Sequence, residues 1–591
     1  MAIPNPPSSL AAVVISNTQI DLSWTDNSSD ETGFRIEESV NVPDAFVEVT
    51  TVLANVVSHS RVVDAGVRHY YRVRAYNGDG NSAYSNTVTV ISTGWPQVVK
   101  DIGAQVFFDW DRDGSYTDES AYLISARGTH RIAPPGQSIT ATSGRVSECT
   151  VVLDNTSERF SSFNTGGALY SYIGSGKAYH VPVKVQISSV DAGDSASYQS
   201  VFTGVARIPS ESTLSPTAPK TITFDCRGVE EILLNRRTRT TRADFANYFD
   251  TGFTESEFMD EVIDDTGATI TTVLDSGAFT IPWAWLNNES IVEELWKLAA
   301  ACGGRFYGDA YGQLVYENAT HWLKSPHTTS QQSYTRSSGF GTLELIWDET
   351  ELAEDVNVTW SDRELAESAT IFDSENIVVP AGETITVWAD YDSPLYAVDS
   401  ITTTAGTAGG TNLASYIAVT PTYYAQSAKL QIYNSATIAA NVRVKIDGYL
   451  METASTQTVT QESADSFWTS REGRTRKVSG NRWVQSSGQA NMLKAFMADR
   501  MENPPLLAKM RNCPGNPLRV IGDRITITDT ELDLSATAFY IVGVSWQYTV
   551  GAGYRQDIDA VRCADLYVYA DSPGYFVIGT STLGGSHVIF Y

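Results

Sequence analysis

The 591-residue chain is poor in cysteine and histidine. Its five cysteines, Cys149, Cys226, Cys302, Cys513 and Cys563, lie far apart in sequence and form no C-x-x-C pair. That argues against a disulfide scaffold or a zinc ribbon and for buried, reduced thiols. Seven histidines occur. His69, His130, His180 and His587 each stand alone in strand-like or loop text, and no H-E-x-x-H pair appears, so none is assigned as a ligand. A G-x-S-x-G elbow, a phosphate-binding loop and a dinucleotide fingerprint are all missing; GTSTLGG near the C-terminus fails the elbow pattern. Basic residues are outnumbered, 41 against 69 acids, for a net charge of −28. A surface of that sign repels phosphate backbones, so sequence-specific nucleic-acid binding is not expected. No apolar run approaches the ~20 residues of a membrane helix. The opening MAIPNPPSSL has neither a basic nor an apolar segment, and no secretory signal is read there.

What is abundant points to strands. The chain is 42% hydrophobic and carries 29 Tyr, 13 Trp and 43 Gly, with many Thr and Val, a composition of folded β-structure and turns. Its length suits about four domains. Residues 1–93 form a first module. Ile20, Leu22 and Trp24 alternate with polar residues, TDNSSDETG is a turn, and Phe34 and Ile36 resume the period of two. Tyr71, Val73 and Ala75 then alternate with Arg72 and Arg74. The stretches LSWTDNSSDETGFRIE and YYRVRAYNGDGNSAYSN resemble a fibronectin type III domain, which implies a sandwich with Trp24 packed against the Tyr71 strand.

Residues 94–235 are read as further strands: VFFDWDRDGSY, VPVKVQI, SVFTGVARI and KTITFDCRG. In PGQSITATSGRVSECTVVLDNTSERFSSFN, Pro135 to Asn164, a strand carries Cys149, Val151 and Leu153 on one face and runs into a loop with Arg159 and Phe160. Residues 236–344 turn partly helical. Thr254 and Glu257 stand at capping-box spacing before Phe258 and Val262. In SIVEELWKLAAACGG, Ser290 is the expected cap, with Glu293 three residues on. Ile291, Leu295, Leu298 and Cys302 mark one face, and Gly303 is the stop. RFYGDAYGQLVYEN is a hairpin turning at Asp309 to Gly312. Residues 345–480 return to strands, with SFWTSREGR near their end. Residues 481–565 hold a helix, GQANMLKAFMADRME, spaced by Leu493, Phe496, Met497 and Arg500 and ended by Pro504 and Pro505. GDRITI and two long alternating strands follow. Residues 566–591 are an apolar, Gly-rich tail.

In that order, the LDN strand with its RF loop, FTGVARI, FDCRGVEEIL, the helix–Gly-Gly–hairpin unit, the IYN and V-x-I-x-G strands and the closing GD-x-I barrel resemble the hub proteins of bacteriophage tail tips and baseplates. The resemblance implies a mainly β, multidomain chain: a fibronectin-like sandwich, a first hub barrel, a small α+β domain, a β-rich middle module, a final barrel with a helix, and the tail. It further implies a homotrimer in which two related barrels per chain make a pseudo-sixfold ring. That ring would join tail-tube and tape measure proteins to a central fibre or spike and form part of the DNA exit channel. The implied place is the virion tail tip, assembled in the host cytoplasm, with no enzymatic activity and with host-surface glycan adhesion as a role for the N-terminal domain. A secreted carbohydrate-binding adhesin or glycoside hydrolase is the alternative, which would require two carboxyls converging across a cleft.

Individual constellations leave choices open. Asp109, Asp111 and Asp113 with Gly114 make a D-x-D-x-D-G loop of the kind that surrounds Ca²⁺ with oxygens. The twelfth position, which wants Glu, is Ser120, with Glu119 one residue early, so an acidic solvated turn is the favoured reading and a Ca²⁺ loop the alternative. Glu230–Glu231, Glu293–Glu294 and Asp264–Asp265 are expected on solvated helix faces or ends. NRRTRTTR (Arg236, Arg237, Arg239, Arg242) and REGRTRK are expected to be surface linkers or subunit contacts. Tyr71, Tyr76 and Tyr84 could stack on sugars, with Tyr71 more suited to the core.

Overall fold

In the computed structural model the described residues are 3–16, 19–40, 45–63, 68–91, 103–132, 145–174, 180–188, 198–209, 220–234, 236, 253–287, 289–336, 340–349, 352–462, 475–501, 504–550 and 552–566. Strands dominate, and they fall into several separate sheets.

The N-terminal module is a two-sheet sandwich. Ser8–Ser16, Gln19–Thr25 and Ser58–Val62 form one sheet; Val47–Leu53, Gly33–Val40 and Arg68–Asn77 form the other, with Gly80–Asn81 and Val88–Ile91 also pairing on Arg68–Asn77. The period-two pattern is the cause: Ile20, Leu22, Trp24, Phe34, Ile36, Tyr71 and Val73 all point into one core, because alternate side chains on a strand share a face. Trp24 meets Phe34 edge-on, ring centres 5.7 Å apart.

One sheet of 13 strands carries the body of the molecule. Its first half runs Thr117–Asp118, Ala104–Phe108, Val181–Ser188, Tyr198–Ala206, Thr221–Gly228, Glu148–Asp154 and Leu123–Arg131. The second half continues without a break through Leu534–Thr549, Gly553–Arg562, Leu506–Pro514 and Thr342–Trp347; Arg524–Asp529 pairs with Leu534–Thr549 and with Gln332–Thr335. The join is the antiparallel pairing of Leu123–Arg131 with Leu534–Thr549, in unbroken register from Ser125 opposite Thr549 to Arg131 opposite Gly543. Each half buries its own core. Val106, Phe108, Trp110, Val151, Phe160 and Phe224 belong to the first; Met510, Ile525, Ile527, Phe539 and Ile558 belong to the second. Cys149, Val151 and Leu153 face inward as the alternation requires. Cys149 and Cys226, distant in sequence, stand directly opposite one another on adjacent strands as free thiols.

A smaller sheet, Thr271–Leu274, Gln313–Glu317 and Arg305–Gly308, packs with the helices Glu255–Asp265 and Ile291–Ala301. Thr254 and Glu257 close a reciprocal capping box on the first helix. Ser290 does sit at the N-cap of the second, but its hydroxyl donates to the Leu234 carbonyl at 3.0 Å instead of capping. The cap was misread because a neighbouring chain segment, invisible in local sequence, offers an acceptor. Gly303, at φ +67°, ends that helix in the left-handed region. The helix Ser487–Met501 reaches back into the same core through Ala490, Leu493, Met497 and Met501.

Between these parts stands a second sandwich. Arg363–Leu365, Ala369–Asp373, Ile377–Val379 and Leu395–Gly406 all pair on the long strand Ala440–Thr453. Thr384–Asp390, Ser427–Asn434 and Ile417–Tyr423 form the facing sheet, over a core of Leu430, Ile432, Val442, Val444 and Ile446.

At the join of the two large-sheet halves, Gly128 lies opposite Trp546, and a Cβ added to Gly128 would come within 2.6 Å of the indole ring. Gly128→Ala is expected to cost about 1–3 kcal/mol by overpacking. Gly78→Ala, where nothing lies within 4 Å, serves as the control. Chemical denaturation of both variants checks this; equal stability would contradict it.

Candidate functional site

The halves of the large sheet and the small α+β sheet meet around a cavity of about 330 Å³, lined in part by His130, Tyr307, Glu317, His321, His327 and Arg519. In the hairpin Arg305–Glu317, Glu317 stands opposite Arg305 and diagonal to Tyr307, whose hydroxyl donates to Glu317 Oε1 at 2.8 Å. The Trp322 indole N–H donates to Glu317 Oε2 at 2.9 Å. His321 Nδ1 lies 2.8 Å from Asp275 Oδ2, and its Nε2 lies 3.6 Å from Glu317 Oε1. Burial pushes the His321 pKa down, but the Asp275 hydrogen bond and the nearby Glu317 charge outweigh it and leave it raised. His327, whose ring centre is 5.0 Å from that of His321, donates from Nδ1 to the Gly522 carbonyl at 2.6 Å, and burial lowers its pKa. Arg519 pairs with Asp523 at 3.2 Å, both buried. Glu317 and Asp275 accept protein donors, so the cluster is a largely buried network of paired polar groups.

A second network crosses the same junction. His130 Nε2 donates to the Val201 carbonyl at 2.9 Å, and its Nδ1 lies 3.0 Å from the Ser147 hydroxyl. Burial lowers the His130 pKa, only partly offset by its hydrogen bond to the Val201 carbonyl. Glu230 accepts the Gly308 N–H at 2.8 Å and is fully buried; desolvation raises its pKa. This corrects the expectation of solvated glutamates for Glu230, Glu231 and Glu294, whereas Glu293 is exposed as expected. Glu231 is buried against Arg207, and Glu294 is buried against Arg482 at 2.8 Å and the Trp483 indole N–H at 3.0 Å. Each found a donor on a segment remote in sequence, which offsets the cost of burial. Asp264 and Asp265 are exposed as expected.

The acidic loop brings Asp109, Asp111 and Asp113 together, with one carboxylate oxygen of each within 4.8 Å of the others. Asp109 is buried and accepts backbone N–H groups of Asp113 at 3.1 Å and Gly114 at 2.9 Å. Glu119 is turned away from the loop's acids. Its Oε1 accepts the Trp110 indole N–H at 3.0 Å and pairs with Arg159 at 2.7 Å. Arg159 and Phe160 therefore close the end of the first core, where Phe160 packs near Trp110 and Phe224.

In the N-terminal sandwich, Tyr71 is fully buried and its hydroxyl donates to Glu38 Oε1 at 2.6 Å. Guanidinium groups cover the other two rings: Arg35 lies 4.5 Å from the Tyr76 centre and Arg72 lies 3.7 Å from the Tyr84 centre. These contacts occupy faces that a sugar would need. Of the first basic cluster only Arg236 is described, with its guanidinium on the Thr266 carbonyl; Arg237, Arg239, Arg242, Ser466–Arg474, His587, the GTSTLGG run and the start of the Pro135 segment lie outside the described residues. His321 and His327 had no signal in sequence beyond their bare presence six positions apart.

No family model matches the chain, and no curated protein sequence does either. Among solved structures, it is similar to the tail protein from Neisseria meningitidis MC58, at 9% identity over 78% of this chain and 98% of that one, TM-score 0.43. It is also similar to the 43 kDa tail protein of prophage MuSo2 from Shewanella oneidensis, at 11% identity over 79% and 99%, TM-score 0.41. The sixth fibronectin type III domain of human fibronectin type III domain containing protein 3 matches 17% of this chain and 96% of that one, at 17% identity and TM-score 0.14.

One titration follows from the N-terminal sandwich. Burial raises the Glu38 pKa, but hydrogen bonds from His69, Tyr71 and Arg61 outweigh it and hold the group at about 2, against an ordinary 4.5. A lowered folded-state pKa means stability that is present above pH 4.5 and lost as pH falls toward about 2. Hydrogen exchange of strand Gly33–Val40 in the full chain should show that loss. Glu38→Gln should weaken protection by about 2 kcal/mol at neutral pH and flatten the acid limb; an unchanged limb would contradict the assignment.

Proposed function

We propose that the chain is a non-enzymatic structural hub of a phage or phage-derived tail tip. The observation that carries this reading is the continuous sheet that fuses a barrel-like unit from residues 103–228 with another from residues 506–562. Two such units held rigidly in one chain are what a threefold assembly needs to offer six similar surfaces to a hexameric tube, and closed rotational symmetry prevents open polymerisation. The order of sequence motifs supports the same reading. On it, three chains form a ring that meets tail-tube and tape measure proteins on one side and a central fibre or spike on the other. The ring forms part of the DNA exit channel of the virion tail tip and is assembled in the host cytoplasm. The strongly acidic composition suits a passage through which DNA slides without sticking. The N-terminal sandwich serves as a weak host-surface adhesin, through surfaces other than the arginine-covered rings of Tyr76 and Tyr84. The hydrolase alternative draws no support from the buried carboxylates around the central cavity, which are committed to protein donors.

Light scattering coupled to size exclusion tests the assembly. The reading expects a mass three times the 64.4 kDa of the chain, with a ring of threefold or pseudo-sixfold outline by negative stain. A monomer that does not assemble with tube proteins would overturn it.

On the same reading the Asp109–Asp111–Asp113 loop holds Ca²⁺ and stiffens the rim of the first unit. Ca²⁺ should then raise the unfolding temperature relative to a chelator, and Asp111→Asn with Asp113→Asn should abolish the difference. No response to Ca²⁺ would make the loop an acidic turn only.

A further inference from the structure

The second sandwich has two unlike outer faces. On the sheet built around Ala440–Thr453, charges neutralise one another: Arg443 pairs with Asp373 at 2.6 Å, and Lys445 pairs with Asp447 at 2.9 Å. On the sheet of Thr384–Asp390, Ser427–Asn434 and Ile417–Tyr423, burial alternates along each strand apart from the buried pair Ser427–Ala428, so every second residue from Lys429 on faces out. The outward positions carry one acid, Asp390 at the strand end, and one base, Lys429. Thr386, Gln431 and Thr420 form a row across the three strands, with Lys429 beside it. Two large rings flank this row: Trp388 is 44% exposed and Tyr433 is 43% exposed. Tyr424 backs the indole, with ring centres 5.7 Å apart and a tilt of 31°.

Trp388 is opposite Lys429, and Tyr433 is opposite Thr384. Four strand positions therefore separate the rings, a distance of ~13 Å. We infer that this face is a binding site for a neutral glycan chain. Pyranose rings present an apolar face that stacks on Trp or Tyr, and their hydroxyls need the donors and acceptors that Gln431, Thr386, Thr420 and Lys429 supply. The spacing suits a short oligosaccharide lying along the strands with a sugar on each ring. A net charge of −28 disfavours an acidic polysaccharide. A second copy of the chain is the poorer occupant: rows of hydroxyl and amide groups separate the rings, so the face lacks the contiguous apolar centre of a protein interface. This site is distinct from the N-terminal sandwich and does not require the ring assembly; failure of one leaves the other standing, because mass reports the assembly and sugar binding reports the face.

The test is calorimetric titration of the full chain with a panel of neutral gluco-, galacto- and manno-oligosaccharides. At least one is expected to bind. Trp388→Ala and Tyr433→Ala should each weaken that binding by roughly tenfold, Trp388→Phe should retain most of it, and Thr402→Ala on the opposite sheet should change nothing, all with an unchanged unfolding temperature. No binding across the panel, binding that survives both ring deletions, or ring deletions that instead lower the mass in solution would each overturn the inference.

Discussion

The pairing of Leu123–Arg131 with Leu534–Thr549 is the constraint on which the rest of the architecture depends. It joins residues as remote as Thr129 and Ser545, whose hydroxyls meet at 3.2 Å across 416 positions of sequence. Closing so long a loop costs entropy, though the cost grows only slowly with length. The return is a ladder in unbroken register with buried side chains on both flanks, Trp546 over Gly128 among them. Everything between the two strands must leave from and return to this seam. The α+β unit, the strand Asp355–Trp360 and the helix Ser487–Met501 share one hydrophobic core among Leu295, Val356, Trp483 and Leu493, while the second sandwich keeps its own.

A chain with an excess of acids faces a further problem, which is how to bury the carboxylates that fall inside its units and at their junctions. Here several are buried, each with donors supplied from elsewhere. Glu38 takes Tyr71 and Arg61, Glu119 takes Trp110 and Arg159, Glu230 takes the Gly308 N–H, and Glu317 takes Tyr307 and Trp322. Removing a donor from such a pair leaves a buried charge unmatched, which is far costlier than never burying it. The Glu230–Gly308 contact ties the end of the first large-sheet half to the α+β unit, and the others lock strands and loops within their own units.

Local features were legible in the sequence. Alternation at Ile20, Leu22 and Trp24 and at Cys149, Val151 and Leu153 marks inward faces, and the Thr254–Glu257 capping box and the Gly303 stop mark helix ends. These depend on neighbours a few residues away. The misreadings share one cause, a partner distant in sequence. Ser290 gives its proton to Leu234, Glu230 meets Gly308, and Glu294 meets Arg482 and Trp483. Cys149 faces Cys226 only because two strands happen to be neighbours in the sheet. The acidic loop was visible as a motif, but the diversion of Glu119 to Trp110 and Arg159 was not.

Hydrogen exchange on the full chain measures the central claim most directly. If the shared seam holds the two halves as one body, amides of Ser125–Arg131 and of Gly543–Thr549 should open together, with one free energy and one dependence on denaturant. Protection of one strand that persists while the other exchanges freely would show two independent units and would contradict the account.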